Sequence, residues 1–145
     1  MRKTFTLQEA QTLVPVLEAL LKRARAAALR GAELELEMRR LSHRIFLAGG
    51  MHVNVAGAAR RRAEREKASQ ETKDTIAEIE AIGVRVQDLE IGLLEFPSPM
   101  DGREVLLCWR LGDAAITHWR EAEDGVEERR SLDGRFGRGE RERLN

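Results

Sequence analysis

The stretch TLQEAQTLVPVLEALLKRARAAALRGAELELEMRRLSHRIFLA, residues 6–48, decides the fold. Thr6 stands three residues before Glu9, the spacing of a capping box, in which each side chain accepts a hydrogen bond from the other residue's amide. A helix therefore starts at Leu7. Steps of three and four from there visit Ala10, Leu13, Leu17, Leu20, Ala24, Ala27, Gly31, Leu34, Met38, Leu41 and Ile45 without meeting a charge. Val14, Leu21 and Ala28 widen this stripe, while Lys22, Arg23, Arg25, Arg30, Glu33, Glu37, Arg39, Arg40 and Arg44 lie off it. Pro15 lacks an amide donor and crowds the carbonyl of residue 11, so a kink or a short separate first helix is expected.

If the helix stops at Gly49-Gly50, its length of about 42 residues spans roughly 63 Å at ~1.5 Å each. A compact chain of this size has a radius of gyration of only about 15 Å. Part of the stripe must then be covered from outside the compact core. The expected cover is a second copy of the chain, packed on Leu17, Leu20, Ala24, Ala27, Gly31, Leu34 and Met38. The small side chains at 24, 27 and 31 would let a partner backbone approach closely.

Beyond the link of residues 51–55, a second helix is expected over 56–82, closed by Gly83. Its weaker stripe runs through Ala68, Thr72, Ile76, Ile79 and Val86, and the two helices form an antiparallel hairpin of coiled-coil type. After Gly83 the period changes to two. Val105, Leu107, Trp109 and Leu111 alternate with Leu106, Cys108 and Arg110, which reads as a half-buried strand. Gly112-Asp113 reads as a tight two-residue hairpin leading to a partner strand at 115–120. That register sets Leu107 opposite His118, Trp109 opposite Ile116 and Thr117 beside Cys108. Asp101-Gly102 marks another turn, so residues 92–96 are expected as a third strand. The fold class is α+β, a long N-terminal helical hairpin followed by a small antiparallel three-stranded β-sheet. It forms one domain over residues 1–132, with helices at about 7–48 and 56–82 and the sheet at 89–122. The polar stretch 133–145 is expected to be disordered.

Composition agrees with helix. Charged residues make up 34% of the 145 and aromatics 4%, which favours long solvated helices over an aromatic-rich core. Lys plus Arg equals Asp plus Glu, 25 each, so no net field steers the chain toward a membrane or nucleic acid, and neither is expected as a partner. The lone cysteine, Cys108, permits no internal disulfide and no thiolate metal site, which fits a reducing cytoplasm. Met1-Arg2-Lys3 is not followed by the apolar run of a signal peptide, and no stretch approaches the ~20 apolar residues of a membrane span.

The densest group of chemically able residues is Asp88, Glu90 and Glu95, next to strands that carry His118 and Glu121. Carboxylates with an imidazole are ligands for a divalent metal or an acid–base pair for hydrolysis. In a chain with 25 acidic residues, three within eight positions is also what a solvated surface looks like. Glu95 falls between Leu94 and Phe96 in a strand that should be buried, so it needs a cation, for which Arg110 or Arg120 would serve. His43, His52 and His118 have no spacing that pairs them on one helix face. Cys108, beside Thr117, reads as a buried inert thiol. The basic run 59–67 contains acids and no aromatic residue, which reads as a solvated helix face. No catalytic residue and no cofactor are assigned, the divalent metal being the one cofactor the acidic group would take.

Thr6-Leu7-Gln8-Glu9-Ala10 with Leu13-Val14-Pro15, then Asp88-Leu89, Gly92-Leu93 and Glu95-Phe96-Pro97, are followed by Leu107-Cys108-Trp109-Arg110-Leu111-Gly112-Asp113 and Trp119. Together they resemble a bacterial family known as domain of unknown function 2203. The resemblance covers roughly residues 4–17 and 84–132, and its most specific residues are Leu107, Cys108, Trp109, Arg110, Gly112 and Trp119. It implies a small cytoplasmic bacterial protein and no particular activity. Members tend to carry a histidine directly after the tryptophan, where this chain has Arg120, which argues against a shared metal role for that strand. The leading expectation is a non-catalytic protein whose helices self-associate as a homodimer, and the alternative is a metal-dependent hydrolase.

Overall fold

The computed structural model describes residues 3–49, 55–125, 128–133 and 136. Helix α1 spans Leu7–Leu47 and α2 spans Val55–Ile82. The strands are β1 Arg85–Asp88, β2 Leu93–Met100, β3 Arg103–Arg110, β4 His118–Glu121 and β5 Arg130–Ser131. They form one antiparallel sheet in chain order. The fold is α+β with a helical hairpin, but the sheet has five strands, not the expected three. No helix among the described residues is long and apolar enough to cross a membrane.

The capping box forms as its spacing requires. The Thr6 amide donates to Glu9 Oε1 at 2.9 Å and the Glu9 amide to Thr6 Oγ1 at 3.1 Å. The short separate first helix allowed for at Pro15 does not form, and α1 is one continuous helix from Leu7 to Leu47. Pro15 is exposed while Ala10, Val14 and Leu17 around it are buried. Its ring meets solvent, and the burial of these apolar neighbours anchors the turns on either side of it.

The chain divides into two compact units, residues 1–21 with 76–145, and residues 22–75. In the first, Ala10, Val14, Leu17 and Leu21 of α1 and Ile79 of α2 join one core cluster with Leu94, Phe96 and Met100 of β2, Val105, Leu107 and Trp109 of β3, and Trp119 of β4. Asp101 (φ 50°) and Gly102 (φ 79°) both take positive φ and join β2 to β3, with Met100 opposite Arg103. Two positive-φ residues define the primed turn that matches strand twist, and Asp-Gly is a preferred pair for it.

Strand β2 runs on to Met100 instead of ending at Phe96, although it contains two prolines. The Pro97 carbonyl accepts from the Phe5 amide at 2.7 Å. In an antiparallel strand a residue's N and O point to the same side, so the donor missing at Pro97 would have pointed away from β3.

The expected hairpin at Gly112-Asp113 is wrong in register. Leu107 lies opposite Trp119 and Cys108 opposite His118, and β4 begins only at His118, not at Ala115. The Asp113 amide donates to the Arg110 carbonyl at 2.9 Å and the Arg110 amide to Asp113 Oδ2 at 3.1 Å, while Trp109 Nε1 donates to the Asp113 carbonyl at 3.1 Å. These bonds close a wider turn, and residues 114–117 pass before pairing resumes. A shift of one residue exchanges the two faces of a strand. Trp119 accordingly takes the inner position expected of His118, which is exposed.

In the second unit, α2 comes close at Gly31, where an added Cβ would stand 3.7 Å from the Ala68 Cβ. Arg65 binds Glu35 at 2.6 Å, Arg61 stands 3.6 Å from Glu37 and Arg30 stands 3.7 Å from Glu64. From Gly31–Ala68 through Glu35–Arg65 to Glu37–Arg61 the numbers fall on α2 as they rise on α1, so the helices are antiparallel. Ala24, Ala27 and Leu34 are buried, and Gly31, Met38, Leu41 and Ile45 are half-buried. The link carrying His52 lies outside the described residues. So does most of the expected tail, but Phe136 within it is buried, with its ring 5.7 Å from that of Trp119.

Candidate functional site

The sheet face opposite the core cluster holds the two buried charges among the described residues, Glu95 and Arg120. Register places Arg85 opposite Glu95, Glu95 opposite Cys108, and Cys108 opposite His118, one cross-strand row on one face. Leu106 and Arg120 are opposite one another in the adjoining row. Glu95 is fully buried and Arg120 is 5% exposed.

Arg120 grips the carboxylate with both ends of its fork, Nε to Oε2 at 2.5 Å and Nη2 to Oε1 at 3.0 Å. Arg85 adds a second cation at 3.9 Å. The third Arg120 nitrogen donates to the backbone carbonyls of Asp124 and Glu121. The hydrogen bond to Glu95 raises the guanidinium pKa above its ordinary value, which holds the charge on Arg120. Of the two expected partners for Glu95, Arg120 fills the role, and Arg110 is exposed at the end of β3.

Cys108 lies against this pair, its Sγ 4.0 Å from Glu95 Oε2 and 3.7 Å from the Leu106 carbonyl. Burial, and then the Glu95 charge, push its thiol up to about 12. The cross-strand neighbour is His118, not Thr117 as expected from the sequence. Even so, the His118 ring bonds the Thr117 hydroxyl at 2.8 Å, and the thiol faces an anion and not a base. A nucleophilic cysteine needs the opposite environment, one that lowers its pKa.

The five residues expected to bind a metal are held apart by separate commitments. Asp88 ends β1, and its Oδ1 accepts from the Ile91 amide at 3.2 Å. Glu90 is exposed in the turn that follows, and Glu95 is buried with Arg120. His118 points to the same face as Glu95 from two strands away. Glu121 is bound by Arg103 through two bonds of 3.1 and 2.7 Å. Among the described residues no group of three or more His, Cys, Asp or Glu is placed to hold a metal ion.

The family-motif residues have structural work. Leu107, Trp109 and Trp119 are in the core cluster, and Arg130 lies 5.2 Å over the Trp119 ring. Arg110 supplies an amide to the Asp113 cap, and Gly112 has φ 104°. Gly92 takes φ 74°, and a Cβ there would come within 2.6 Å of the Leu111 Cβ, so the Gly92-Leu93 and Leu111-Gly112 segments require one another. Of the expected oligomer interface, Leu17 lies in the core cluster, Leu20 packs against it, and residues 24–38 belong to the hairpin stripe described above. Sequence reasoning did not single out Arg85 or Asp124, whose contact with the buried pair depends on the short β1 strand and on a turn.

No curated protein and no solved structure matches the chain. A family model does match, over residues 3–132, which takes in the capping box, both helices, β1–β4 and the closed Glu95–Arg120 pair, and by that match the chain belongs to the family described as Uncharacterized conserved protein (DUF2203).

Proposed function

We propose that this is a non-catalytic interaction protein whose helices self-associate as a homodimer. The observation that carries the reading is the location of exposed large apolar side chains. Val16, Leu29, Leu36, Phe46, Leu47 and Val55 are all on the helices, and Ile91 alone of that group is on the sheet side of the sequence. Leu29 (61% exposed) and Leu36 (46%) are seven residues apart on the outer face of α1, the spacing of a helix–helix seam. An open groove of about 620 Å³ in the same unit is lined by Ala27, Ala28 and Gly31 of α1 and by Arg65, Ser69 and Thr72 of α2. A seam of this kind packs against its own copy about a two-fold axis, as an isologous contact requires. This seam lies off the stripe of Ala24, Ala27, Gly31 and Leu34, which α2 approaches through Ala68.

Sedimentation velocity on the full chain tests this. A concentration-dependent dimer at micromolar protein, converted to monomer by Leu29→Glu/Leu36→Glu with helicity unchanged, is the expected result. A wild-type chain that stays monomeric at tens of micromolar ends the proposal. A metal-dependent hydrolase built on Asp88, Glu90, Glu95, His118 and Glu121 has less support, since Glu95 and Glu121 are engaged by arginines and Asp88 by a backbone amide.

A further inference from the structure

The zero net charge hides a strong segregation. From Met38 to Ala63 the sequence carries Arg39, Arg40, Arg44, Arg60, Arg61 and Arg62, and not one Asp or Glu. These residues flank the tip of the hairpin, where α1 ends at Leu47 and α2 starts at Val55. Two of the six are paired, Arg39 with Glu35 and Arg61 with Glu37. Arg40, Arg44, Arg60 and Arg62 make no ion pair among the described residues, and all four are exposed. At the same end stand the three most exposed large apolar side chains of the described residues, Phe46 at 80%, Val55 at 70% and Leu47 at 68%.

We infer that the hairpin tip docks on an anionic phospholipid surface, inserting Phe46, Leu47 and Val55 among the acyl chains while Arg40, Arg44, Arg60 and Arg62 lie against the phosphates. A basic collar around an apolar point is the pattern of an interfacial anchor, in which apolar burial and attraction to anionic lipid add. A second copy of the chain is a poor occupant, because two tips would bring Arg40, Arg44, Arg60 and Arg62 of one against the same four arginines of the other. Nucleic acid offers the phosphates but no apolar medium for the leucine and valine, and a single phenylalanine is a thin stacking platform. The arrangement works without a spanning helix, since the tip needs only to enter the headgroup boundary.

The experiment is flotation of the full chain with vesicles of phosphatidylcholine mixed with phosphatidylglycerol, beside vesicles of phosphatidylcholine alone. The protein should float with the anionic vesicles, release as salt is raised, and bind the neutral ones far less. Arg40→Gln/Arg44→Gln/Arg60→Gln/Arg62→Gln should weaken anionic binding by roughly six hundredfold, at about fivefold per cation. Phe46→Ser/Leu47→Ser keeps every charge and should also abolish flotation. All six positions are exposed, so circular dichroism should be unchanged. In a Phe46→Trp chain, emission should shift to the blue on adding anionic vesicles, against the constant background of buried Trp109 and Trp119. No flotation on anionic vesicles overturns the inference. So does binding to RNA that Phe46→Ser/Leu47→Ser leaves intact while vesicles are ignored. Leu29→Gln/Leu36→Gln removes the apolar seam without setting an acid beside Arg40, so it should leave flotation unaffected, which separates this inference from the proposed dimer.

Discussion

Taking Glu95 and Arg120 out of water costs several kcal/mol per ion, and only a well-formed, fully bonded pair offsets that. The fork of two bonds, with the backbone carbonyls of Asp124 and Glu121 taking the remaining donors, is such a pair. Glu95→Gln leaves a guanidinium at 5% exposure without its counter-charge, and urea denaturation should show a loss of about 3–5 kcal/mol. Replacing both, as Glu95→Leu/Arg120→Met, should restore stability to within about 1 kcal/mol of wild type, because the lost attraction is matched by the lost desolvation. A single variant with the wild-type midpoint would show that the pair is open to water. Alternation along 93–96 was enough to read Glu95 as buried and in need of a cation. It could not choose between Arg110 and Arg120, because that depends on the β3–β4 register. The turn after Arg110 sets that register through the Asp113 side chain, and a Gly-Asp pair is no signature of a wider turn.

At the scale of elements, legibility followed period and length. Helix α1 shows ten turns of one pattern with a cap at its start, and periodicity located it within a residue or two. Strands β1, of four residues, and β5, of two, are largely exposed and have no alternation to find. Pro97 and Pro99 hid the second half of β2, since a proline's missing donor is harmless only where the strand's outer side needs none. The waist of α1 was read as a place of close approach, and the approaching backbone is that of Ala68 on α2. Gly31 itself has a helical conformation and space, a Cβ there meeting Ala68 at an ordinary 3.7 Å. Gly31→Ala should therefore stabilise the hairpin by up to about 1 kcal/mol, the helix-propensity difference. Gly31→Leu should destabilise it by about 1–3 kcal/mol through overpacking. Thermal unfolding of the two variants checks the pair of signs, and a stabilising leucine would mean the helices are not in contact at residue 31.

For the whole molecule, what matters is where the apolar burial is. Phe5, Leu17, Leu21, Ile79, Phe96, Leu107, Trp109 and Trp119 are all nearly or fully buried in the unit that contains the sheet. Among the described residues of 22–75, Leu34 is the only buried apolar side chain larger than alanine. The outer hairpin is held instead by Arg65–Glu35, Arg61–Glu37 and Arg30–Glu64, with the Glu35 pKa lowered by its hydrogen bond from Arg65. Exposed pairs of this kind contribute about 0–1 kcal/mol each and are screened by salt. Local opening follows local apolar burial, so native-state hydrogen exchange should divide the molecule along the same line. Amides of α1 beyond Glu35 and of α2 before Arg65 should exchange through low-energy openings that added salt makes easier. Amides of β2 and β3 should exchange only with global unfolding and ignore salt. Equal protection along the whole hairpin and the sheet would mean that something besides these ion pairs covers the outer helices, and the first place to look would be the dimer seam at Leu29 and Leu36.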